Sequence, residues 1–188
     1  ENNVILIDEF LQNAKEVDVD VLRDNQGNTM IAGIMEHIEE AGIHSGDSAC
    51  SIPPFSLNDK IISDIKKFSI SLVNELKILG LMNIQYAIKD DEIFILEANP
   101  RASRTIPFLA KAIGIPFIKI AAELIVGKTL TEEYQNFDNN TLPYFAIKEA
   151  VFPFNKFPNT DVILGPEMKS TGEAVSYTHL RAHETGIN

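Results

Sequence analysis

Strict alternation of acidic and apolar residues near the N-terminus limits most strongly how this chain can fold. Residues 16–21 read Glu-Val-Asp-Val-Asp-Val, so an extended segment carries three carboxylates on one face and three valines on the other. A period of two predicts a β-strand with one buried face. A turn-forming run at 25–28 and an apolar run at 29–34 follow. Residues 16–34 are therefore predicted to form a β-hairpin.

Length and charge favour one globular domain and exclude some classes of function. The chain has 188 residues, enough for a single hydrophobic core. Its 16 basic and 27 acidic residues give a net charge of −11, which disfavours nucleic acid and anionic membranes as partners. The most apolar stretch, 113–126, contains Lys119 and Glu123 and is too short to span a bilayer. The single cysteine, Cys50, excludes an internal disulfide framework and fits a reducing compartment.

The remaining sequence predicts helices and strands in one α/β unit of the α+β type. A capping box at Ser56 and Asp59 begins a long amphipathic helix, which Gly80 ends. Because the N-terminus shows neither a starting Met nor a basic segment, we expect no signal peptide and a piece of a longer chain. The other predicted elements are a strand at 4–7, a loop at 41–51, strands at 81–89 and 93–99, helices at 107–113 and 116–126, a polar linker at 135–143 and a strand at 144–152.

The strand pair 81–89 and 93–99 carries the polar residues best suited to chemistry. A three-residue loop at 90–92 would pair Lys89 with Ile93 and set Gln85 opposite Glu97, whereas a two-residue loop would put Gln85 and Glu97 on opposite faces. With the longer loop, one face is apolar and consists of Met82, Ile84, Tyr86, Ile88, Phe94, Leu96 and Ala98. The other face is polar and consists of Asn83, Gln85, Glu97 and Asn99, with Arg101 just beyond it.

A carboxylate, amide oxygens and an arginine on one face suit a cation that bridges phosphates. Mg²⁺ prefers oxygen ligands and takes one or two carboxylates together with phosphates and water. The pattern alone leaves open a second interpretation, in which these residues form a solvent-facing strand surface. The residue types by themselves do not decide between the two.

Other motifs favour ordinary structural roles. The Gly127-Lys128-Thr129 run has Ala122 where a phosphate loop needs its leading glycine. His37 and His44 lack the spacing of a zinc motif. No base stands near Cys50 in the sequence, which favours a passive thiol. Asp47, between Ser45 and Ser48, is interpreted as a local Asx turn.

Five segments together resemble one known family. They are residues 16–20 (EVDVD), 33–51 (GIMEHIEEAGIHSGDSACS), 80–89 (GLMNIQYAIK), 96–108 (LEANPRASRTIPF) and 154–173 (FNKFPNTDVILGPEMKSTGE). In order and spacing they resemble the large subunit of glutamine-dependent carbamoyl phosphate synthase from about residue 4 to 173. The resemblance implies an ATP-grasp fold, of which this fragment is the C-terminal lobe, with a mixed or antiparallel sheet and flanking helices.

The resemblance also implies which part of that family is present. The segments 44–51 and 154–173 are similar to the C-terminal half, which phosphorylates carbamate, and not to the N-terminal half, which makes carboxyphosphate from bicarbonate. Residues 1–174 are thus expected to be a partial ATP-grasp domain. Residues 175–188 do not resemble the family and look like translated cloning sequence.

Roles for individual residues follow from the resemblance alone. The backbone of Glu9 and Leu11 would meet adenine, and Glu16 would hold the ribose hydroxyls. The loop residues Gly42, Ile43, His44 and Ser45 would line the nucleotide. The metal ligands would be Gln85, Glu97 and Asn99, of which Gln85 and Glu97 also lie near the phosphates. Arg101 would stand beside the transferred phosphoryl group and act in catalysis with Glu97 and Asn99.

The resemblance further implies the cofactors and partners of the intact protein. It is expected to be a cytoplasmic ATP-dependent ligase that feeds arginine and pyrimidine biosynthesis. ATP, two Mg²⁺ or Mn²⁺ ions and K⁺ are the expected cofactors, and carbamate is the expected substrate. The partners would be the glutaminase small subunit and the rest of the large subunit, with no nucleic acid or membrane.

Two alternatives accompany this interpretation. The first is an ATP-grasp ligase that acts on another carboxylate. The second is an inert structural fragment, because the family's phosphate-covering lid precedes the residues present in this chain. The isolated chain is accordingly expected to be inactive.

Overall fold

Seven antiparallel strands form one sheet, with helices on both of its faces. The computed structural model describes residues 5, 7, 9–137, 142–157 and 159–177. The order of the strands across the sheet is β5-β4-β1-β2-β3-β6-β7. The strands are β1 (Lys15–Arg23), β2 (Thr29–Glu40), β3 (Cys50–Ile52), β4 (Gly80–Lys89), β5 (Glu92–Asn99), β6 (Ala146–Val151) and β7 (Gly172–Tyr177). The helices are α1 (Asp59–Glu75), α2 (Ile106–Ile113), α3 (Phe117–Ile125) and α4 (Glu132–Gln135).

Strand β1 is buried on both faces, so the prediction of a half-buried strand was wrong. It pairs with β2 on one side and with β4 on the other. On its α1 face, three valines pack with α1 in a cluster that includes Ile61 and Ile65. On its opposite face, the site face, Glu16, Asp18 and Asp20 have relative exposures of 4%, 2% and 0%. The predicted hairpin is confirmed, and β2 continues six residues beyond its predicted end.

Helices α2 and α3 cover the part of the site face around Leu22. They form a second apolar cluster with Leu22 of β1 and with residues of β2 and β4. Gly33 makes close packing possible, since a Cβ there would lie 2.4 Å from Leu109 Cδ2 of α2. The site face therefore changes from apolar at Leu22 to acidic at Asp20, which lies where the helical cover ends.

Both predicted ends of the long helix were wrong. The N-cap is Asn58, whose side-chain oxygen accepts the Ile61 N–H at 2.9 Å. Ser56 instead donates its hydroxyl to Glu36, whose carboxylate also accepts the backbone N–H of Ser56 at 2.8 Å. The helix ends at Glu75, and Gly80, at φ +91°, begins β4.

The β4–β5 hairpin has the predicted pairing of Gln85 with Glu97, but its turn differs from the prediction. Its turn has two residues, Asp90 and Asp91, both at positive φ (52° and 63°), and pairs Lys89 with Glu92. A β-bulge between Gln85 and Tyr86 on β4 then shifts the register by one residue, so that Gln85 does lie opposite Glu97. Along β5 the bulge makes Leu96 the extra residue.

The bulge changes which β5 residues pack on the core. Ile93 and Ala98 pack against the α1-side cluster. Leu96 is 48% exposed, so its predicted place on the apolar face was wrong. Phe94 pairs with Ala87 and not with Tyr86 or Ile88, so it too lies off the predicted face.

The other predicted elements differ mainly at their ends. The two short helices and the strand at 144–152 are confirmed to within two residues, and β3 takes the end of the predicted loop at 41–51. Of the predicted strand at 4–7, Ile5 and Ile7 are described and lie outside any strand, while residues 4 and 6 lie outside the described residues. The predicted linker begins at the end of α4, and its residues 138–141 also lie outside them. No helix in the described ranges is long and apolar enough to cross a membrane.

Candidate active site

An open cavity of about 310 Å³ lies where the loop 41–49, β1, β4 and β5 meet. Eight residues singled out from the sequence line it: Glu16, Gly42, Ile43, His44, Ser45, Gln85, Glu97 and Arg101. Leu96 and Pro166 complete the lining. Residues separated by up to 150 positions in the sequence therefore converge on one cavity.

Three further sequence candidates do not line this cavity. Glu9 is exposed, and Leu11 is half-buried. The residue between them, Phe10, lies against the loop, since a Cβ on Gly42 would be 3.2 Å from Phe10 Cε2. Asn99 pairs with Asn83 at the end of the hairpin, and its Nδ2 is buried with no hydrogen-bond partner in the described part of the chain.

Gln85 and Glu97 form the polar pair at the centre of the cavity. The Gln85 side chain is oriented by its Nε2, which donates to Ser45 Oγ at 3.0 Å. Because the amide nitrogen is engaged, the Gln85 Oε1 atom is available as an acceptor or a cation ligand. Glu97 is exposed in the same cavity and adds a carboxylate. The two side chains offer oxygen atoms to the cavity, which fits a hard cation such as Mg²⁺.

A smaller cavity of about 60 Å³ adjoins the first and adds positive charge. The two share His44, Ser45, Gln85 and Arg101. The smaller cavity is also lined by Arg104 and by Lys148 of β6, which is 0% exposed and donates from Nζ to the Ser45 carbonyl at 3.3 Å.

Sequence reasoning missed both of these cations. A signal for Lys148 was present, since it alternates with Ala146 and Ala150 on the buried face of β6. A lysine between two small residues on a buried strand face is unusual, because a charged group there needs a partner or a function.

The loop 41–49 is held in place by Asp47. Its carboxylate accepts the backbone N–H groups of Lys169 at 2.7 Å and Ser170 at 2.8 Å. Burial would raise the pKa of Asp47, but the hydrogen bonds from Ser170 and Lys169 lower it. The interpretation of Asp47 as only a local turn was therefore wrong, because it joins segments 122 residues apart.

A buried cluster of three titratable groups lies under the cavity. His37 Nε2 is 3.1 Å from Asp18 Oδ2, and His37 Nδ1 is 3.7 Å from Glu16 Oε1. Burial would lower the pKa of His37, but the hydrogen bond and charge of Asp18 and the charge of Glu16 raise it. Burial raises the pKa of Glu16 to about 6. The three side chains place possible ligand atoms within 4.8 Å of one another, and His44 is not among them.

The buried thiol of Cys50 agrees with a passive role. Cys50 is 0% exposed, and burial raises its pKa to about 12. The thiolate, which is the nucleophilic form, is therefore strongly disfavoured near neutral pH.

The fold is that of part of an ATP-grasp domain. It is similar to a biotin carboxylase–β,γ-ATP complex from Campylobacter jejuni, with a TM-score of 0.64 and 16% identity over 77% of this chain and 31% of that one. It is also similar to the biotin carboxylase subunit of a pyruvate carboxylase, with a TM-score of 0.63 and 17% identity over 76% and 31% of the two chains.

Sequence comparison then gives the family. Residues 1–133 match the model of the carbamoyl-phosphate synthase L chain, ATP binding domain. Carbamoyl phosphate synthase large chains from Nostoc sp. and Synechocystis sp. are 55% and 57% identical to this chain over 91% of its length. The chain belongs to the family of this ATP binding domain, and it spans 16% of the length of these two relatives.

Proposed function

We propose that this chain forms part of the site at which ATP phosphorylates carbamate to carbamoyl phosphate. The observation that carries the proposal is the pairing of Gln85 with Glu97 in a cavity that also holds Arg101. Acidic and amide oxygens beside a fixed cation suit a metal-bound polyphosphate. The loop at 44–51 and the run at 154–173 support assignment to the carbamate-phosphorylating half of the large chain.

The chemical step needs positioning and charge stabilisation more than covalent help. A carbamate oxygen attacks the γ-phosphorus in line, the bond from that phosphorus to the bridging oxygen breaks, and ADP leaves with the electron pair. Carbamate is already an anion, so the step requires no general base. His44 is accordingly assigned to lining the nucleotide and not to proton transfer.

Gln85, Glu97 and Asn99 would hold Mg²⁺ or Mn²⁺, with two ions as the proposed number. The fit rests on the oxygen atoms of Gln85 and Glu97 in the cavity and on the Gln85 amide, which Ser45 orients. When bound, the metal would neutralise charge on the phosphate oxygens. K⁺ remains a proposed further cofactor.

Arg101 and Lys148 supply positive charge from the protein itself. Arg101 lies on the rim shared by both cavities, where it can contact the transferred phosphoryl group. Lys148 is fully buried, so water screens its charge poorly, and an anion in the smaller cavity would experience most of its field. Carbamate is the anion that we assign to this cavity.

The remaining contacts concern the nucleoside. Glu16 is proposed to accept hydrogen bonds from the ribose hydroxyls, and Gly42, Ile43, His44 and Ser45 to line the nucleotide. The backbone of Glu9 and Leu11 is proposed to meet adenine, next to Phe10, which lies against Gly42. In the intact protein, the partners would be the rest of the large chain and a glutaminase subunit. We propose that the intact protein acts in the cytoplasm and supplies arginine and pyrimidine synthesis.

The domain boundary at residue 174 stays a proposal, and so does the foreign origin of residues 175–188. Strand β7 crosses that boundary, because Val175 and Ser176 pair with Lys148 and Ile147 of β6. Three residues of the proposed tail thus extend an existing strand in the structure.

The proposed function is tested by Glu97→Gln in a full-length large chain that carries this segment. We expect ATP synthesis from ADP and carbamoyl phosphate to fall by about 10²–10³-fold, the usual cost of removing a charge-stabilising group. Bicarbonate-dependent ATP hydrolysis, assigned to the other half, should survive. The matched control is Glu92→Gln, an exposed acid at the opposite end of β5, which should leave both reactions unchanged.

Two results would contradict the proposal. ATP synthesis within twofold of wild type would remove Glu97 from the site. Loss of bicarbonate-dependent ATP hydrolysis with ATP synthesis intact would show that the segment belongs to the other half of the large chain.

A further inference from the structure

Asp20 is a buried acid for which the proposed reaction has no use. It is 0% exposed and lies on the site face of β1, between the apolar cover of α2 and the smaller cavity. It is neither a proposed metal ligand nor a nucleotide contact. A carboxyl group without solvent costs folding free energy unless partners satisfy it.

The partners of Asp20 come from the segment 100–105 and from β4. Its Oδ2 atom is 2.8 Å from Ser103 Oγ and 3.0 Å from Thr105 Oγ1, while its Oδ1 atom accepts from Asn83 Nδ2 at 3.2 Å. The segment 100–105 joins β5 to α2 and carries both Arg101 and Arg104. Asp20 therefore links this segment to strands β1 and β4.

The three oxygen atoms form a closed triangle. Ser103 Oγ and Thr105 Oγ1 are themselves 2.6 Å apart, so each pair of oxygens is within hydrogen-bonding distance. Both hydroxyl groups donate to the same carboxylate oxygen, so Oδ2 joins two side chains of the segment 100–105 to β1. Burial raises the pKa of Asp20 to about 7, with a further rise from the charge of Asp18, although the hydrogen bonds from Ser103, Thr105 and Asn83 lower it.

We propose that Asp20 is a positioning residue that fixes the segment 100–105, and through it Arg101, over the smaller cavity. The Arg101 side chain does not itself fix the segment to the sheet. It is exposed, and its guanidinium donates to the Ala102 carbonyl within the same segment. The inference rests on the proposed function, since it is Arg101 acting on the transferred phosphoryl group that gives the anchor its effect.

The proposal makes a specific demand on the side chain at position 20. A neutral amide offers one donor and one acceptor on the same skeleton, so asparagine can keep the contacts with Ser103, Thr105 and Asn83. Alanine removes them all and leaves Asn83 Nδ2 without its acceptor. Shape and hydrogen bonding should therefore matter at this position, and negative charge should not.

The test uses a full-length large chain carrying this segment and measures ATP synthesis from ADP and carbamoyl phosphate. Asp20→Ala should lower kcat by roughly 10–100-fold, the range expected when a catalytic group is displaced by about 1 Å. The KM for ADP should change by less than about threefold, since the nucleotide contacts lie elsewhere. Asp20→Asn should retain kcat within about threefold.

Arg101→Ala and the double variant Asp20→Ala/Arg101→Ala separate positioning from general damage. If Asp20 acts through Arg101, the double variant should be no slower than Arg101→Ala alone. Losses that multiply in the double variant would overturn the inference, and so would an Asp20→Asn variant as slow as Asp20→Ala. An Arg101→Ala variant with wild-type kcat would instead contradict the proposed role of Arg101.

A second variant covers the case in which Asp20→Ala does not fold. Thr105→Val keeps Asp20 and removes one hydroxyl of the triangle, and it should lower kcat several-fold. Tyr86→Phe is the matched control. It also removes a buried hydroxyl group, which is 2.8 Å from Ser69 Oγ on the α1 face. The inference fails if Thr105→Val and Tyr86→Phe have the same kcat.

Discussion

The two faces of strand β1 are equally buried and hold the protein together in different ways. On the α1 face, valines pack with isoleucines of α1, and such burial stabilises by about 0.8 kcal/mol per methylene whatever the exact geometry. On the site face, each carboxylate depends on particular partners, such as Ser103 for Asp20 and His37 for Asp18. Removing water from such groups costs free energy that their hydrogen bonds only partly offset.

The difference between the two faces indicates which one stabilises the fold and which one can bind a ligand. Apolar packing on the α1 face is explained by its contribution to stability alone. The site face keeps Glu16, His37 and Lys148 together at some cost in stability, and the cavities beside them are where that arrangement can act on an anion. Substitutions of the site-face residues that line the cavities should therefore affect activity more than stability, and substitutions on the α1 face should do the reverse.

Among the substitutions that compare the two faces, the largest expected effect is that of Lys148→Met on the site face. We expect it to lower ATP synthesis from ADP and carbamoyl phosphate by on the order of 10²-fold, because it removes the buried charge that faces the smaller cavity. Thermal unfolding should show an equal or higher Tm, since apolar replacement of a buried charge is often neutral or stabilising.

The control for this substitution is Lys128→Met. Lys128 is an exposed lysine whose Nζ is 3.0 Å from Glu123, away from both cavities. It should change neither activity nor Tm by a measurable amount. Near-normal activity in Lys148→Met, or a collapse of its Tm, would break the comparison of the two faces.

The next effect concerns pH. Because burial raises the pKa of Asp20 from 3.8 to about 7, ionisation of Asp20 opposes folding. This cost is absent below about pH 4, grows as the pH rises to 7 and is constant above that. Asp20→Asn does not titrate, so its stability relative to wild type should increase between pH 4 and 7 by on the order of a few kcal/mol. Urea unfolding of both proteins at pH 4, 5.5 and 7.5 measures this, and a difference independent of pH would contradict it.

A smaller loss of stability is expected where α2 covers the sheet. Gly33→Ala places a Cβ atom 2.4 Å from Leu109 Cδ2, so the buried Leu109 side chain must move, at a cost of roughly 1–3 kcal/mol. Gly165→Ala is the control, since a Cβ there meets nothing within 4 Å. Equal unfolding midpoints for the two variants would show that α2 does not pack as closely as described.

The smallest effect belongs to the α1 face. Tyr86→Phe removes the hydroxyl that is 2.8 Å from Ser69 and should lower the free energy of unfolding by about 1 kcal/mol. The kcat for ATP synthesis should not change, because the Tyr86 side chain packs on the α1 face of β4, opposite to Gln85 and both cavities. A loss of kcat without a loss of stability would show that the faces are not independent.

The sequence predicted the α1 face better than the site face, for a physical reason. Apolar periodicity identifies Val17, Ile61 and Ile65 as core residues, because burial of apolar groups depends little on which partner they meet. The burial of Asp20 could not be predicted, since its carboxylate is satisfied by residues far along the chain. The hydrogen bonds of Asp20 to Ser103 and Thr105 cross 83 and 85 residues.

The hairpin shows how a correct pairing can follow from an incorrect turn. The pairing of Gln85 with Glu97 was predicted with a three-residue loop, whereas the structure combines a two-residue turn with a bulge at Leu96. Either geometry puts both side chains on one face, and the local sequence does not distinguish them. The exposure of Leu96 in the cavity is the part that only the structure provides.

The central claim is that the cavity bounded by Gln85, Glu97 and Arg101 holds the metal-bound phosphates of ATP. The most direct test is a crystal structure, with ADP and Mn²⁺, of a full-length large chain carrying this segment, in which anomalous scattering locates the ion. We predict an anomalous peak at coordination distance from Gln85 and Glu97 oxygens, with the ADP phosphates in the same cavity. A nucleotide bound elsewhere, with no ion at Gln85 and Glu97, would contradict the account.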